Sequence, residues 1–168
     1  INGKPAIKLL VERLRLAKKI RKIVVCTTTL ISDNPLVDFL QNEKIDYFRG
    51  NEKDVLIRFL DAARHFKTDI IIDVEGDKLY TDPQFVDRII DEMNNKNIDF
   101  VIGSDSQKFE PNDHFIHGVI PAGIRVSALE KICELKKTSD TETGYKEFFT
   151  STDLFSIKYI NPEIIPSV

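Results

Sequence analysis

Cysteine is scarce in this chain. The 168 residues hold two, Cys26 and Cys133, too far apart in sequence to show metal-ligand spacing. Cys26 falls within an apolar run and reads as a buried thiol, which suits a reducing cytosol. Long apolar runs are missing too. Nothing approaches the ~18 consecutive apolar residues of a membrane span, and no secretory leader is visible, so a cytoplasmic location without a membrane partner is expected. Positive charge is not in excess. The 24 lysines and arginines against 27 acids give a net charge of −3. That removes the global signature of a nucleic-acid partner, but one basic cleft for a nucleotide is still allowed. Three catalytic signatures are also absent: the G-x-S-x-G turn of serine hydrolases, the G-x-G-x-x-G dinucleotide fingerprint and the Walker loop. Internal repeats, low-complexity tracts and linkers do not occur.

What is present is enough chain for one domain with a full core, in which helix and strand alternate. Pro5 opens a helix carrying Ile7, Leu10, Val11, Leu14 and Ala17 on one stripe. Lys22–Thr27 reads as a buried strand, and Asp33 or Asn34 caps a second helix with Pro35 at its first position. Ile45–Phe48 is a short strand and Arg49-Gly50-Asn51 a turn, followed by a helix over Val55–Phe66. Thr68–Val74 is a third strand. Asp82-Pro83 starts a fourth helix, and Asp99–Gly103 is a fourth strand. This rhythm predicts an α/β three-layer sandwich around a mostly parallel, Rossmann-like sheet, with Val24, Ile71 and Val101 in adjacent central strands. After Gly103 the rhythm breaks. Residues 104–114 are loop-like, 115–125 extended, Ser127 caps a helix to about Lys136, and Phe155–Ile160 alternates as a strand. That part reads as an antiparallel excursion appended to the sheet.

The densest chemistry is Val74-Glu75-Gly76-Asp77, just after the apolar run Ile70-Ile71-Ile72. Open α/β sheets bind ligands outside the carboxyl ends of their strands. A carboxylate there can hold a hard cation such as Mg²⁺ against a phosphate. Asp73, Glu75 and Asp77 share one face of an extended chain, where they repel one another unless a cation or basic groups compensate. Thr27-Thr28-Thr29 ends the earlier strand, where hydroxyls and backbone can read a base or sugar edge; a strand end satisfying its own backbone fits equally well. Arg49 can grip phosphate with its fork, and Gly50 lets backbone approach a ligand. Asp54 and Arg58 stand four apart and form an exposed helix pair on the simpler reading. His114 and His117 read better as surface-loop residues than as metal ligands.

Gly3-Lys4-Pro5, Val25-Cys26-Thr27-Thr28-Thr29, Phe48-Arg49-Gly50-Asn51-Glu52-Lys53-Asp54-Val55-Leu56-Ile57-Arg58, and Val74-Glu75-Gly76-Asp77 with Thr81-Asp82-Pro83 together resemble the cytidylyltransferase family. That family includes the CMP-KDO and CMP-sialic acid synthetases, and the spore coat polysaccharide type is the nearest pattern. The resemblance implies a nucleotide-diphospho-sugar transferase-like fold. It also implies a reaction in which a sugar acid or sugar phosphate attacks the α-phosphate of CTP and expels pyrophosphate, serving surface polysaccharide synthesis. Asp77 is then the catalytic, metal-binding residue. Gly76, Arg49, Gly50, Asp54 and Thr27, Thr28 and Thr29 lie on the substrate side, and Glu142, in Asp140-Thr141-Glu142, belongs to the sugar side. Mg²⁺ is the implied cofactor, CTP and the sugar the partners, and a homodimer is allowed.

Three departures from the family stand out. The family begins with a strand and a Gly/Arg/Lys-rich triphosphate loop, and this chain opens at Ile1, just after where that loop belongs. A late acidic segment that supplies a second metal carboxylate belongs about where the chain stops, at Val168. A single cytidylyltransferase-like domain over 1–168 lacking both pieces is therefore expected. Lys78 stands where a small or acidic residue is expected, and it can contact phosphate or pair with Glu75. The competing expectations are a glycosyltransferase that uses a nucleotide sugar, and a degenerate nucleotide-binding domain of the same fold.

Overall fold

The computed structural model describes residues 3–103, 118–141 and 144–160. Within them the chain forms helix α1 (Ala6–Leu14), strand β1 (Val24–Thr28), a single turn of tighter helix (Ile31–Asp33), α2 (Asn34–Asn42), β2 (Asp46–Gly50), α3 (Val55–Phe66), β3 (Ile70–Asp73), α4 (Pro83–Met93), β4 (Phe100–Gly103), β5 (Ala122–Arg125), α5 (Val126–Leu135), α6 (Glu147–Thr150) and β6 (Ile157–Ile160). Local chemistry sets these bounds. The Asp54 carboxylate accepts from Ile57 N and the Asp82 carboxylate from Gln84 N, so α3 and α4 begin where their orphan N–H groups find acceptors. Lys67, left-handed at φ +53°, closes α3.

Helices cover both faces of the strands. On one side α3, α5 and α6 bury Leu56, Leu60, Leu129, Ile132 and Phe149 against Phe100, Ile102, Ala122 and Ile124. On the other, α4 packs Phe85, Ile89 and Met93 on Val101 and Ile160, and α1 adds Leu10 and Leu14 against Ile23, Ile72 and Val74. The alternation along β4, with Phe100 and Ile102 on one face and Val101 on the other, is the period-2 pattern of a strand buried on both sides. The three-layer α/β sandwich is thus as expected.

The strand order differs from the expectation in detail. β1 pairs parallel with β2, and β4 parallel with β6. β5 runs antiparallel between β3 and β4, in the order β3-β5-β4-β6. The antiparallel excursion is therefore inserted into the sheet rather than appended to it. Val24, Ile71 and Val101 all lie in strands but not in adjacent ones. Among the described residues no backbone ladder joins β1 to β3, although Ile23, beside β1, and Ile72 of β3 share one apolar cluster. Arg49 and Gly50, expected in a turn, form the last two positions of β2. Their register partners Thr27 and Thr28 continue the ladder that far.

Candidate active site

The carboxyl ends of β1 and β2 are stitched together by side chains. Asp33 Oδ2 accepts from Thr27 Oγ1 at 2.5 Å, Thr28 N at 2.9 Å and Thr28 Oγ1 at 2.7 Å. These bonds, the one from Thr27 above all, pull the Asp33 carboxyl down to about 2. Asp33 sits at the start of α2 yet caps no helix N–H, because its carboxylate is spent on the threonines. Arg49 completes the stitching. Its Nε donates to Thr28 O at 2.8 Å, and its terminal nitrogens donate to Leu30 O at 2.7 Å and Asn34 Oδ1 at 3.0 Å. The guanidinium therefore fixes the Thr28–Leu30 backbone, and Thr29 is left exposed between these anchors.

Gly50 has a specific role. A Cβ there would fall 2.9 Å from Arg58 Cγ and 3.0 Å from a Phe48 ring carbon, so its bare backbone is the track along which the Arg58 stem crosses. Arg58 does not pair with Asp54. One of its terminal nitrogens donates to Asn51 O at 2.6 Å and Glu52 O at 3.1 Å, which holds the turn after β2. Its charge lowers the affinity of both Cys26 and Asp73 for protons, while burial outweighs it at each. Arg58 thus sits within electrostatic reach of the ends of β1, β2 and β3. The Cys26 thiol is pushed up to about 11 by burial, which makes it an inert core group at neutral pH.

Asp54 is buried, at 3% exposure, and its oxygens are taken up within the chain. Oδ1 accepts from Ile57 N at 3.2 Å and Thr141 Oγ1 at 3.1 Å, and Oδ2 pairs with the buried Lys136 ammonium. Thr141 N donates to Lys53 O at 3.0 Å. The Asp54 position therefore fastens the 136–141 loop to the start of α3. Glu142 lies outside the described residues, as do His114 and His117.

At the end of β3 Asp73 parts from Glu75 and Asp77, which share Lys78. Among the described residues no group of three or more His, Cys, Asp and Glu converges to hold a metal. The strand ends at Asp73, and beyond it the chain turns, so the shared face of an extended segment is lost. Asp73 accepts a hydrogen bond from the Tyr145 hydroxyl. Burial pushes Asp73 up, opposed by that bond and by Lys146. Burial, then the Asp73 charge, raises Tyr145 well above the usual phenol range. Glu75 accepts from Lys146 Nζ at 2.9 Å and lies 3.4 Å from Lys78 Nζ. Burial raises Glu75, but the two lysines outweigh it and hold the carboxyl below its usual range. Asp77, its side chain 74% exposed, pairs with Lys78 at 3.0 Å, and that bond lowers it. Gly76 faces open space.

Glu75 and Asp77 are hard oxygen donors of the kind that suits Mg²⁺, and the Lys78 ammonium between them is a stand-in cation. The donor set fits a divalent ion in kind. Sequence reasoning missed Tyr145, Lys146 and Lys136. They lie about 70 to 80 residues from their partners in the chain, and no local spacing signals such a pairing. Hollows of about 360 and 400 Å³ share Lys44, Ile45 and Asp46 at the opposite, amino ends of β1 and β2. The convergent chemistry is at the carboxyl ends, on open surface.

The layers and the strand order define an α/β protein of Rossmann-like fold. A cytidylyltransferase from Leptospira borgpetersenii shares that fold with a TM-score of 0.79 and 24% identity, over 96% of this chain and 66% of that one. CMP:2-keto-3-deoxy-manno-octonic acid synthetase, solved with CTP, shares it at 0.71 and 13% identity, over 96% and 80%. 4-Diphosphocytidyl-2C-methyl-D-erythritol synthase from Anaerococcus prevotii does so at 0.67 and 13%, over 96% and 78%. The sequence profile of the cytidylyltransferases matches residues 1–164, and the chain belongs to that family. A curated relative, an uncharacterised protein of Methanocaldococcus jannaschii, is 29% identical over 157 residues, 93% of this chain and 61% of its own length. The chain thus spans about three fifths of that relative and two thirds of the Leptospira protein.

Proposed function

We propose that this chain is the core of a CTP-dependent nucleotidyltransferase that transfers CMP to a sugar acid or sugar phosphate destined for surface polysaccharide. The observation that carries the reading is the match of the cytidylyltransferase profile to residues 1–164. The place of the matched motifs at one set of strand ends supports it. Thr27–Thr29 and the Arg49–Gly50 end of β2 form the nucleotide side, kept rigid by Asp33 and Arg49. Asp54 acts as a positioning group, since its bonds hold the turn and loop beside that surface. Glu142 is assigned to the sugar side from the motif alone. A sugar acid and a sugar phosphate both suit this reading, the first by analogy with the octonic acid synthetase. A cytoplasmic location accords with the absence, among the described residues, of any helix long and apolar enough to cross a membrane. Pairing into a homodimer stays open to a solution mass measurement. Among the described residues one edge of β1 and one of β3 are unpaired, and Ile23 beside β1 shares an apolar cluster with Ile72 of β3, which supports a longer protein in which a further strand completes the sheet between them.

In this reaction an acceptor oxygen forms a bond to the α-phosphorus of CTP. The bond from that phosphorus to the bridging oxygen breaks, and pyrophosphate leaves with the electron pair. The chain's own part is to hold the nucleotide against rigid strand ends and exclude its free rotation. Asp77, with Glu75 beside it, would hold Mg²⁺, which when bound neutralises charge on the phosphates. In the longer protein Asp77→Asn should lower pyrophosphate release from CTP by roughly 10²–10³, the cost of losing one preorganised charge-stabilising group. The exposed position of Asp77 leaves the fold intact. Equal rates and equal Mg²⁺ dependence in wild type and Asp77→Asn would remove Asp77 from the reaction. Absence of turnover in the longer wild-type protein with any acceptor would favour the degenerate binding domain, a reading the Lys78–Asp77 pair itself supports.

A further inference from the structure

Lys78 is a placed residue. Surface lysines ordinarily gain little from an ion pair, because holding a long side chain still costs entropy. Here the stem is confined. Gly118 has φ +83°, and a Cβ on it would fall 2.4 Å from Lys78 Cδ and 2.6 Å from Cγ. The stem therefore lies across bare backbone that no other residue could provide. The two segments are locked together by Thr81, which is fully buried. Its hydroxyl lies 2.7 Å from Gly118 O and 2.9 Å from Lys78 O, sharing its proton between them. Asp82 N donates to Val119 O at 2.9 Å, and Arg13 Nε donates to Thr81 O at 2.7 Å. This scaffold delivers the ammonium to 3.0 Å from Asp77 and 3.4 Å from Glu75, while Lys146 holds the other oxygen of Glu75 at 2.9 Å.

We propose that Lys78, guided by Gly118, is a built-in competitor for the divalent cation: its ammonium occupies Asp77 and Glu75 and has to be displaced before a metal ion can bind there. The proposal rests on the reading of Asp77 as the metal carboxylate. It has a physical consequence that does not depend on turnover. A cation entering this turn must break two ion pairs and then stand beside a positive charge, so its affinity is lower than the same carboxylates would otherwise give.

The test is Mn²⁺ binding to the chain, read as free Mn²⁺ by electron paramagnetic resonance, without nucleotide. Lys78→Met keeps the stem and removes the charge. Gly118→Ala keeps the lysine and blocks its track. Both should bind Mn²⁺ roughly five- to tenfold more tightly than wild type, which is what two partly exposed ion pairs contribute. Asp77→Asn and the double variant Asp77→Asn/Lys78→Met should lose that binding. If Asp77→Asn abolishes binding and Lys78→Met leaves the affinity unchanged or weaker, Asp77 stands as the metal carboxylate and the competitor role of Lys78 falls. If Asp77→Asn binds Mn²⁺ as wild type does, the metal reading falls and the proposal with it. Gly118→Ala places a side chain at positive φ and strains the backbone, so Lys78→Met, at a partly exposed position, decides the matter should that variant unfold.

Discussion

Single residues at the strand ends are committed to two different tasks. Asp33 spends its charge on Thr27 and Thr28, and its stability contribution has a definite sign. The folded carboxyl sits at about 2 against an ordinary value of 3.8. Its contribution is complete above pH 3.8 and is lost as pH falls through about 2. Asp73, raised by burial, works in the opposite sense over acid pH, because its protonation favours the fold. The comparison that isolates Asp33 is therefore denaturation of wild type against Asp33→Asn between pH 5 and 2. The gap between the two proteins should close as the pH drops. Asp54 is the other kind of residue, a buried charge paired with a buried lysine. Asp54→Ala strands the Lys136 ammonium and removes a helix cap, and should cost about 3–5 kcal/mol by urea unfolding. Lys136→Met with Asp54→Asn removes both charges, keeps a capping side chain, and should cost well under half of that.

Elements carry these residues into register by different means. α4 is placed by local signals, the Asp82 cap and Pro83 at its first turn. α6 is four residues long and has no capping side-chain bond; tertiary contact holds it. Phe149 stacks on Phe100 with ring centroids 4.4 Å apart and planes 5° from parallel. The turn before α6 is pinned to the end of β3 by Tyr145 on Asp73 and Lys146 on Glu75. Phe149→Ala should destabilise the chain by about 3–5 kcal/mol, the usual cost of emptying a buried phenylalanine site, measured by denaturant unfolding. The rhythm of apolar residues made α3 legible to the residue, and the Asp82-Pro83 signal fixed the start of α4. α6 could not be read that way, because one turn has no periodicity to detect.

At the scale of the molecule the described residues form two sheets joined through helices, a two-stranded pair and a four-stranded sheet. A pair of strands is marginal by itself and depends on what packs over it. Native-state hydrogen exchange on this chain should find the amides of β1 and β2 opening at lower free energy than those of β4 and β5. In a longer protein with a strand between β1 and β3, the difference should shrink. Uniform protection across both sheets in the present chain would show that the helices alone couple them.

Much of this protein was determined by sequence alone. Alternating helical and extended apolar patterns specify the three layers, since burial of an apolar stripe or face leaves few packings. Strand-end Gly76-Asp77, the threonines after Cys26 and the Arg-Gly pair identify the family, because motif spacing is a property of the chain itself. Tertiary structure decided the rest. That β5 slips between β3 and β4, that Gly118 makes way for Lys78, and that Asp73 finds Tyr145 and Glu75 finds Lys146 all depend on residues far apart in sequence. Charge in a string of residues says only that compensation is needed. Which lysine supplies it, and from what direction, is set where backbones meet.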